Sequence, residues 1–165
     1  MGTISRLKLE WLEQALGGLH RFAQSRGRAQ NLPAHLLVGI EGEEAAFFFL
    51  RRKGYTIVAR RWSSGDVPGD IDLIAWQGSM VCFVEVKTRS ARTITPAEAA
   101  VDEHKRATLR RLARRYVRQL PQETAPGARF DVISVYLGGV STEDREFEFQ
   151  HFEAAFGWSE DFRDS

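Results

Sequence analysis

The stretch GDIDLIAWQGSMVCFVEVKTR, residues 69–89, decides the fold because it predicts two strands joined by a tight turn. Gly78 and Ser79 suit a two-residue type II′ turn, whose first central residue needs a positive φ. If Gln77 faces Met80 across that turn, the rest of the pairing is fixed. The sequence therefore predicts an antiparallel hairpin with a defined register.

In this register Asp72 lies directly opposite Glu85. Alternation along the strands predicts one polar face, with Asp70, Asp72, Glu85 and Lys87, and one core face, with Ile71, Leu73, Val84 and Val86. Opposed carboxylates destabilise a sheet, whereas a divalent cation between them would compensate, and Mg²⁺ binds through one or two carboxylates plus water and phosphate oxygens. The pattern favours a Mg²⁺ or Mn²⁺ site. A solvent-facing strand with incidental charges is the alternative.

The rest of the chain predicts an α/β domain. Amphipathic spacing predicts a helix over residues 5–25, and a second helix over 35–54 ends at Gly54. A strand over 55–62 precedes the hairpin. A long helix from Thr95 to about Leu120 follows it, then a buried strand over 129–137, in which Asp131 could anchor a neighbouring element. A short strand is expected over 147–152 and a helical turn over 153–156.

Composition limits the classes of protein that this chain can be. Its 165 residues are 43% apolar and 27% charged, which is typical of one globular domain. The single cysteine, Cys82, excludes an internal disulfide framework and suits a reducing compartment. No apolar run reaches the roughly 20 residues that span a bilayer. We therefore expect a soluble, cytoplasmic protein with no membrane partner.

The net charge of +1 conceals an uneven distribution. Residues 51–119 carry 15 basic and 7 acidic side chains, whereas residues 141–165 carry 2 basic and 8 acidic ones. A basic middle segment permits a polyanionic partner such as nucleic acid, although a solvated helix face gives the same count. The four histidines show no metal-ligand spacing, so no catalytic role is expected for them.

Sequence motifs add a family resemblance. Asp72 followed by the EVK of residues 85–87 resembles the D-x(n)-(D/E)-x-K core of the restriction-endonuclease-like superfamily, PD-(D/E)XK. Ordered blocks covering roughly residues 40–156 resemble the YraN-like family of small bacterial proteins, often described as endonucleases. These blocks are GEEAAFFFLRRKGYTIVARRW, GDIDLIA, FVEVKTR, AVDEHKRATLRRLARRYV and RFDVISV.

The resemblance implies a restriction-endonuclease-like core, a mixed central sheet flanked by helices in the order α-βββ-α-β. Residues 1–35 would form an N-terminal helical extension, 36–157 the nuclease-like domain and 158–165 an acidic tail. The extension has no counterpart in the family, and its amphipathic helix could pair two copies into a homodimer.

The resemblance also implies roles for individual residues. Asp72, Glu85 and the backbone carbonyl of Val86 would hold Mg²⁺ or Mn²⁺, and Lys87 would orient water and stabilise charge on the phosphate. Glu43 matches a helix acid that approaches the metal centre, so it counts as both a catalytic and a metal-binding candidate. Candidates for nucleic-acid contact are Arg89, Lys105 and Arg106, for which a surface or solvated role is the alternative.

Two departures from the family pattern lie close to the site. GDID replaces the usual GEID, and RRWSSGDVPG lacks the Asn-aromatic-Arg pattern and is longer.

The expected function is a Mg²⁺- or Mn²⁺-dependent endonuclease acting on DNA, with branched or single-stranded intermediates of recombination or repair as candidate substrates. A noncatalytic nucleic-acid-binding or scaffold protein that retains the nuclease fold is the alternative.

Overall fold

The computed structural model describes residues 33–89, 101–121, 124, 126–138 and 146–159. The predicted N-terminal helix over 5–25 and the acidic end of the chain lie outside these residues. The elements are α1 (Ala34–Arg52), β1 (Thr56–Ser64), β2 (Val67–Gln77), β3 (Met80–Arg89), α2 (Glu103–Gln119), β4 (Gly127–Gly138) and β5 (Glu146–Phe156).

The strands form one mixed sheet in the order β1-β2-β3-β4-β5. Neighbouring strands are antiparallel except β3 and β4, which are parallel and are connected through α2. The helices cover opposite faces of the sheet. The predicted α/β fold and the order α-βββ-α-β are confirmed, and β5 extends the sheet beyond β4. No helix in the described ranges is long and apolar enough to cross a membrane.

Apolar side chains fill both faces of the sheet. The core beneath α1 includes Ala46, Leu50, Leu73, Ala75, Cys82, Val84, Val86, Ile133 and Val135. The core beneath α2 includes Ile71, Ile74, Val81, Phe83, Leu109, Leu112, Ala113, Tyr116, Phe130 and Val132. Because both faces of β2 and β3 are buried, charged side chains on these strands must find partners inside the protein.

The predicted hairpin register is confirmed. Pairing runs from Gln77 opposite Met80 to Leu73 opposite Val84. Gly78 has φ 59°, as the first central position of a type II′ turn requires. Glycine supplies this φ without the steric penalty of a side chain, so the turn sets the register of both strands.

One part of the predicted alternation is wrong. Ile71 packs in the α2-side core, whereas Leu73 packs in the α1-side core, although the two were expected to share a face. Arg61 on the neighbouring strand has φ 44° and lies between Arg60, which pairs with Leu73, and Trp62, which pairs with Ile71. This departure from extended backbone coincides with the change of face.

Helix α1 ends as predicted. Gly54 has φ 88°, and its N–H donates to the carbonyl of Arg51 at 3.0 Å. The N–H of Tyr55 donates to the carbonyl of Leu50 at 3.0 Å, which completes a Schellman motif. This termination turns the chain directly into β1.

The start of the second helix differs from the prediction. Helix α2 begins at Glu103, not at Thr95, because the Asp102 carboxylate accepts the N–H of Lys105 at 2.8 Å and caps the helix there. Val101 and Asp102 are not helical, and residues 90–100 lie outside the described ranges. The cap places Lys105 in the first turn of the helix.

The predicted helical turn over 153–156 is also wrong, because β5 continues through those residues. The strand bends at Ala154, which has φ 51° and lies at a break in the β4–β5 register. The N–H of Ala154 donates to the Asp131 carboxylate at 3.0 Å. A buried side chain thus replaces the missing ladder partner.

Asp131 joins β4 to β5 through a buried ionic cluster. Its carboxylate is fully buried and accepts hydrogen bonds from Arg129 at 2.9 and 3.2 Å. His151 Nε2 lies 2.9 Å from the same carboxylate, and Lys53 Nζ lies 3.0 Å from His151 Nδ1. Asp131 anchors a neighbouring element, as its position in the sequence suggested.

Gly42 sets how closely α1 approaches β3. A Cβ added there would lie 1.8 Å from Thr88 Oγ1 and 2.8 Å from Thr88 Cβ. We expect Gly42→Ala to lower the free energy of unfolding by about 1–3 kcal/mol, because α1 must move away from β3. Gly39→Ala in the same helix, where nothing lies within 4 Å, should be neutral or slightly stabilising. Equal urea midpoints for the two variants would contradict this packing.

The Asp131 cluster predicts a pH-dependent loss of stability. Burial raises the Asp131 pKa, but hydrogen bonds from His151, Ala154 and Arg129 outweigh it and hold the pKa below its ordinary value. This contribution is present above the unfolded-state pKa of about 4 and is lost as the pH falls through the folded-state pKa. We expect Asp131→Asn to lower the free energy of unfolding by about 2–4 kcal/mol at pH 7. In urea titrations the difference in the free energy of unfolding between Asp131→Asn and the parent should shrink below pH 4. A difference that does not change with pH would argue against a stabilising role of the Asp131 charge.

Candidate metal centre

The candidate site begins where β2 and β3 stop pairing regularly. Their backbone pairing ends at Leu73 and Val84. Beyond this pair, Asp72 of β2 contacts β3 through its side chain instead of its backbone. Asp72 Oδ2 accepts the N–H of Val86 at 2.7 Å. This charge-assisted hydrogen bond fixes the carboxylate of Asp72 against the backbone of β3 beside Glu85.

Glu85 is held between two lysines. Only 3% of the residue is exposed, and its Oε1 lies 2.9 Å from Lys87 Nζ on the same strand. Its Oε2 lies 3.1 Å from Lys105 Nζ, which comes from the first turn of α2. Lys105 Nζ also lies 3.4 Å from the carbonyl oxygen of Asp70. Both ammonium groups offset part of this buried charge, but Glu85 Oε2 has no hydrogen-bond donor in the described part of the chain.

Burial and the neighbouring acids change the ionisation of Asp72. The pKa of Asp72 is raised to about 8: burial raises it most, the charges of Glu85 and Glu43 also raise it, and the Val86 N–H and Lys105 act in the opposite direction. The Lys105 pKa is also raised, because the charges of Glu85 and Asp72 outweigh the effect of burial. A positive charge near Asp72 and Glu85 would relieve the repulsion between them.

Glu43 reaches this region from α1 but is already paired. Arg61 Nε donates to Glu43 Oε2 at 2.7 Å, and Arg61 Nη2 donates to Glu43 Oε1 at 3.0 Å. The hydrogen bond to Glu43 and the charges of Glu43, Asp70 and Asp72 raise the Arg61 pKa. Arg61 holds this position with φ 44°, a backbone conformation that side-chain-bearing residues rarely adopt.

The other predicted residues lie at the edges of this arrangement. The side chain of Lys87 is 33% exposed, so its ammonium group faces both Glu85 and solvent. Arg89 ends β3 and is half-buried. Arg106 is engaged in the fold, since its Nε donates to the Val101 carbonyl at 2.8 Å and its guanidinium lies 5.5 Å from the centre of the Phe156 ring. The metal-binding and nucleic-acid-binding roles of all these residues stay predictions.

Sequence reasoning did not identify Arg61, and it singled out Lys105 for a different role. Lys105 was expected to line a nucleic-acid surface, and Arg61 was not singled out. The sequence signal for Lys105 is its place three residues after Asp102, which caps α2 and so puts Lys105 in the first helical turn. For Arg61 the only signal is the departure of RRW from the family pattern, because a positive φ cannot be read from an arginine.

The donor set fits a hard divalent cation bound through few protein ligands. Within the described ranges, no three His, Cys, Asp or Glu side chains are grouped to hold one ion. Asp72 and Glu85 nevertheless supply two carboxylates whose mutual repulsion a cation would relieve. Mg²⁺ commonly binds through one or two carboxylates and completes its coordination with water and substrate phosphate. The residues present fit Mg²⁺ or Mn²⁺ in that mode.

Comparison with known proteins identifies the family. The model of the uncharacterised protein family UPF0102 matches residues 42–135 of the chain. The chain belongs to UPF0102. The predicted resemblance to the YraN-like family is confirmed, and the UPF0102 match contains every side chain of the candidate centre, namely Glu43, Arg61, Asp72, Glu85, Lys87 and Lys105.

Individual UPF0102 relatives match over much of their length. A UPF0102 protein of Koribacter versatilis is 52% identical over 105 residues, which cover 64% of this chain and 72% of the relative. A UPF0102 protein of Solibacter usitatus is 42% identical over 122 residues, 74% of this chain and 89% of the relative. One from Parafrankia is 40% identical over 115 residues, 68% of this chain and 95% of the relative.

Removing one negative charge from the centre should stabilise the metal-free protein. In Asp72→Asn the amide oxygen can still accept the Val86 N–H, while the repulsion from Glu85 disappears. We expect the free energy of unfolding in EDTA to rise by about 1 kcal/mol or more. Asp66→Asn, on the turn between β1 and β2, should show no gain, because Asp66 is exposed and pairs with Arg115. Urea unfolding measures both, and a destabilised Asp72→Asn would show that the two carboxylates do not repel.

Proposed function

We propose that this UPF0102 protein is a Mg²⁺- or Mn²⁺-dependent nuclease that hydrolyses phosphodiester bonds in DNA. The observation that carries the proposal is the presence of two repelling carboxylates, Asp72 and Glu85, beside Lys87, whose side chain is one-third exposed. A fold without this chemistry would gain stability by replacing one of the acids.

Asp72 and Glu85 would hold the cation, with the backbone carbonyl of Val86 as the further ligand that the family resemblance implies. When bound, the cation supplies a Lewis acid for the phosphoryl oxygen and lowers the pKa of a bound water. Asp72 is suited to this role because the Val86 N–H fixes its orientation before any ion arrives. A preorganised carboxylate loses little conformational entropy on binding.

Lys87 would stabilise the negative charge that develops on the phosphate. Its ammonium group contacts Glu85 at 2.9 Å and is one-third exposed, so it can serve the carboxylate and an incoming phosphate together. Lys105 holds the other oxygen of Glu85 and therefore sets the orientation of that carboxylate. Fixed cations aimed at developing charge are a large part of catalysis in phosphoryl transfer.

The choice of DNA as substrate has separate support. The family resemblance implies a nuclease core, and the basic excess over residues 51–119 suits a polyanionic partner. Branched or single-stranded intermediates remain the candidate substrates, through analogy within the superfamily. Contact with DNA would come from the side of the sheet where Lys87 and Arg89 end β3.

One observation favours a second candidate, a nucleic-acid-binding protein without hydrolysis. Glu43 and Glu85 each have cationic side chains within 3.1 Å, so the protein itself compensates part of the acidic charge. Such a protein would bind DNA through its basic residues with a strong dependence on salt. It would not require a metal ion.

Cleavage of labelled DNA distinguishes the candidates. We expect the parent protein to cleave linear, nicked, flap or four-way DNA with Mg²⁺ or Mn²⁺ but not with EDTA. Lys87→Ala and Asp72→Asn should each lower the rate by about 100-fold or more, because each removes charge stabilisation or a metal ligand.

The matched control is Lys53→Ala, which removes a half-exposed lysine from the Asp131 cluster rather than from the metal centre. It should retain the parent rate. Cleavage that persists equally in the parent and in both centre variants would come from a contaminant and would sink the proposal. Salt-sensitive DNA binding without metal-dependent cleavage would establish the second candidate.

A further inference from the structure

Arg61 and Glu43 form a bidentate ion pair at the edge of the metal centre, 2.7 and 3.0 Å between the paired atoms. The Glu43 side chain is only 16% exposed, whereas that of Arg61 is 51% exposed. The acid is thus fixed inside the site, and the cation covers it from the solvent side. Bidentate arginine–carboxylate pairs have a defined geometry as well as a favourable charge interaction.

Glu43 lies near the candidate metal ligands, because it pairs with Arg61. Arg61 lies opposite Asp72 in the β1–β2 register, between the pairs Arg60–Leu73 and Trp62–Ile71. The charge of Glu43 contributes to the raised pKa of Asp72, so the two carboxylates are within electrostatic reach. Arg61 also interacts with the acids of β2, since the charges of Asp70 and Asp72 contribute to its raised pKa. Arg61 therefore lies where a cation bound by these acids would experience its positive charge.

The backbone shows that this placement of Arg61 is specific. Arg61 has φ 44° in the middle of β1, and the flanking residues Arg60 and Trp62 keep their pairing with β2. A non-glycine residue in this region is strained unless its surroundings compensate. The ion pair with Glu43 is a contact that holds the Arg61 side chain in this position.

We propose that Arg61 withholds Glu43 from the metal and thereby lowers the affinity of the centre for divalent cations. This inference rests on the proposed metal centre of Asp72 and Glu85. In the parent protein Arg61 neutralises Glu43 and repels an approaching cation, so two carboxylates bind the ion. In this structure Glu43 is not grouped with Asp72 and Glu85 to hold one ion. Without Arg61, the Glu43 carboxylate is free to turn toward the ion as a third acidic donor.

A calorimetric titration of the protein with MnCl₂, in the absence of DNA, tests this role. We expect Arg61→Gln to bind Mn²⁺ about five- to tenfold more tightly than the parent, because one repelling charge is lost and one donor is gained. Adding Glu43→Gln to that variant should return the Kd to within about twofold of the parent value. Arg61→Lys should fall between, since lysine keeps the charge but cannot form the fork-shaped pair.

Arg115→Gln is the matched control. Arg115 pairs with Asp66 on the turn between β1 and β2, and both side chains are about half exposed. This change removes the same charge and releases a carboxylate away from the centre, so the Kd should stay within about twofold of the parent. Equal tightening by Arg115→Gln and Arg61→Gln would overturn the proposal, because net charge alone would then explain it.

The same titrations separate failure of this inference from failure of the metal centre. If Asp72→Asn abolishes Mn²⁺ binding but Arg61→Gln leaves the Kd unchanged or weaker, the centre stands and the role of Arg61 is wrong. If the parent binds no Mn²⁺ while Arg61→Gln does, Arg61 blocks the centre, which supports the proposal. If neither protein binds Mn²⁺, both proposals fail.

Discussion

The hydrogen bond from the Val86 N–H to the Asp72 carboxylate is the interaction on which the candidate site depends. At 2.7 Å it replaces a backbone pairing at the point where β2 and β3 separate. An asparagine could accept this bond without the charge, so the bond alone does not explain an aspartate. The ionised carboxylate becomes useful only where a cation can approach. The same holds for Glu85 on the next strand, whose charge is almost fully buried and therefore more costly without a cation.

Buried acids in this protein are compensated in two different ways. Asp131 receives hydrogen bonds from both neighbouring strands and an arginine, and the balance lowers its pKa, so its charge is a structural connection. Asp72 has one backbone donor and two acidic neighbours, and its pKa is raised. The first arrangement stabilises the fold as it stands. The second leaves an unfavourable interaction that a bound cation would remove, which is the physical difference between the anchoring cluster and the candidate centre.

Much of the core could be predicted from local patterns. The Gly78-Ser79 turn, the hairpin register and the Schellman ending of α1 at Gly54 follow from backbone rules that act over a few residues. The predictions failed where a side chain decides the course of the backbone, whether from the adjacent Asp102 or from the distant Asp131. Helix α2 begins at Glu103 because of a capping carboxylate, and the strand continues through Ala154 because Asp131 accepts its N–H. Arg110 of α2 is 6% exposed and donates to the Gly157 carbonyl at 2.9 Å, a contact that the count of basic residues did not predict.

The sequence by itself determined the α/β class, the hairpin that brings Asp72 to Glu85, and membership of UPF0102, because turn residues, strand alternation and ordered motifs are properties of short segments. Only the tertiary structure decided which cations meet these acids. Lys105 comes from α2, and Arg61 comes from β1 to reach Glu43 on α1. Such pairings join residues far apart in the chain and depend on how helices cross the sheet, so spacing along the sequence does not encode them.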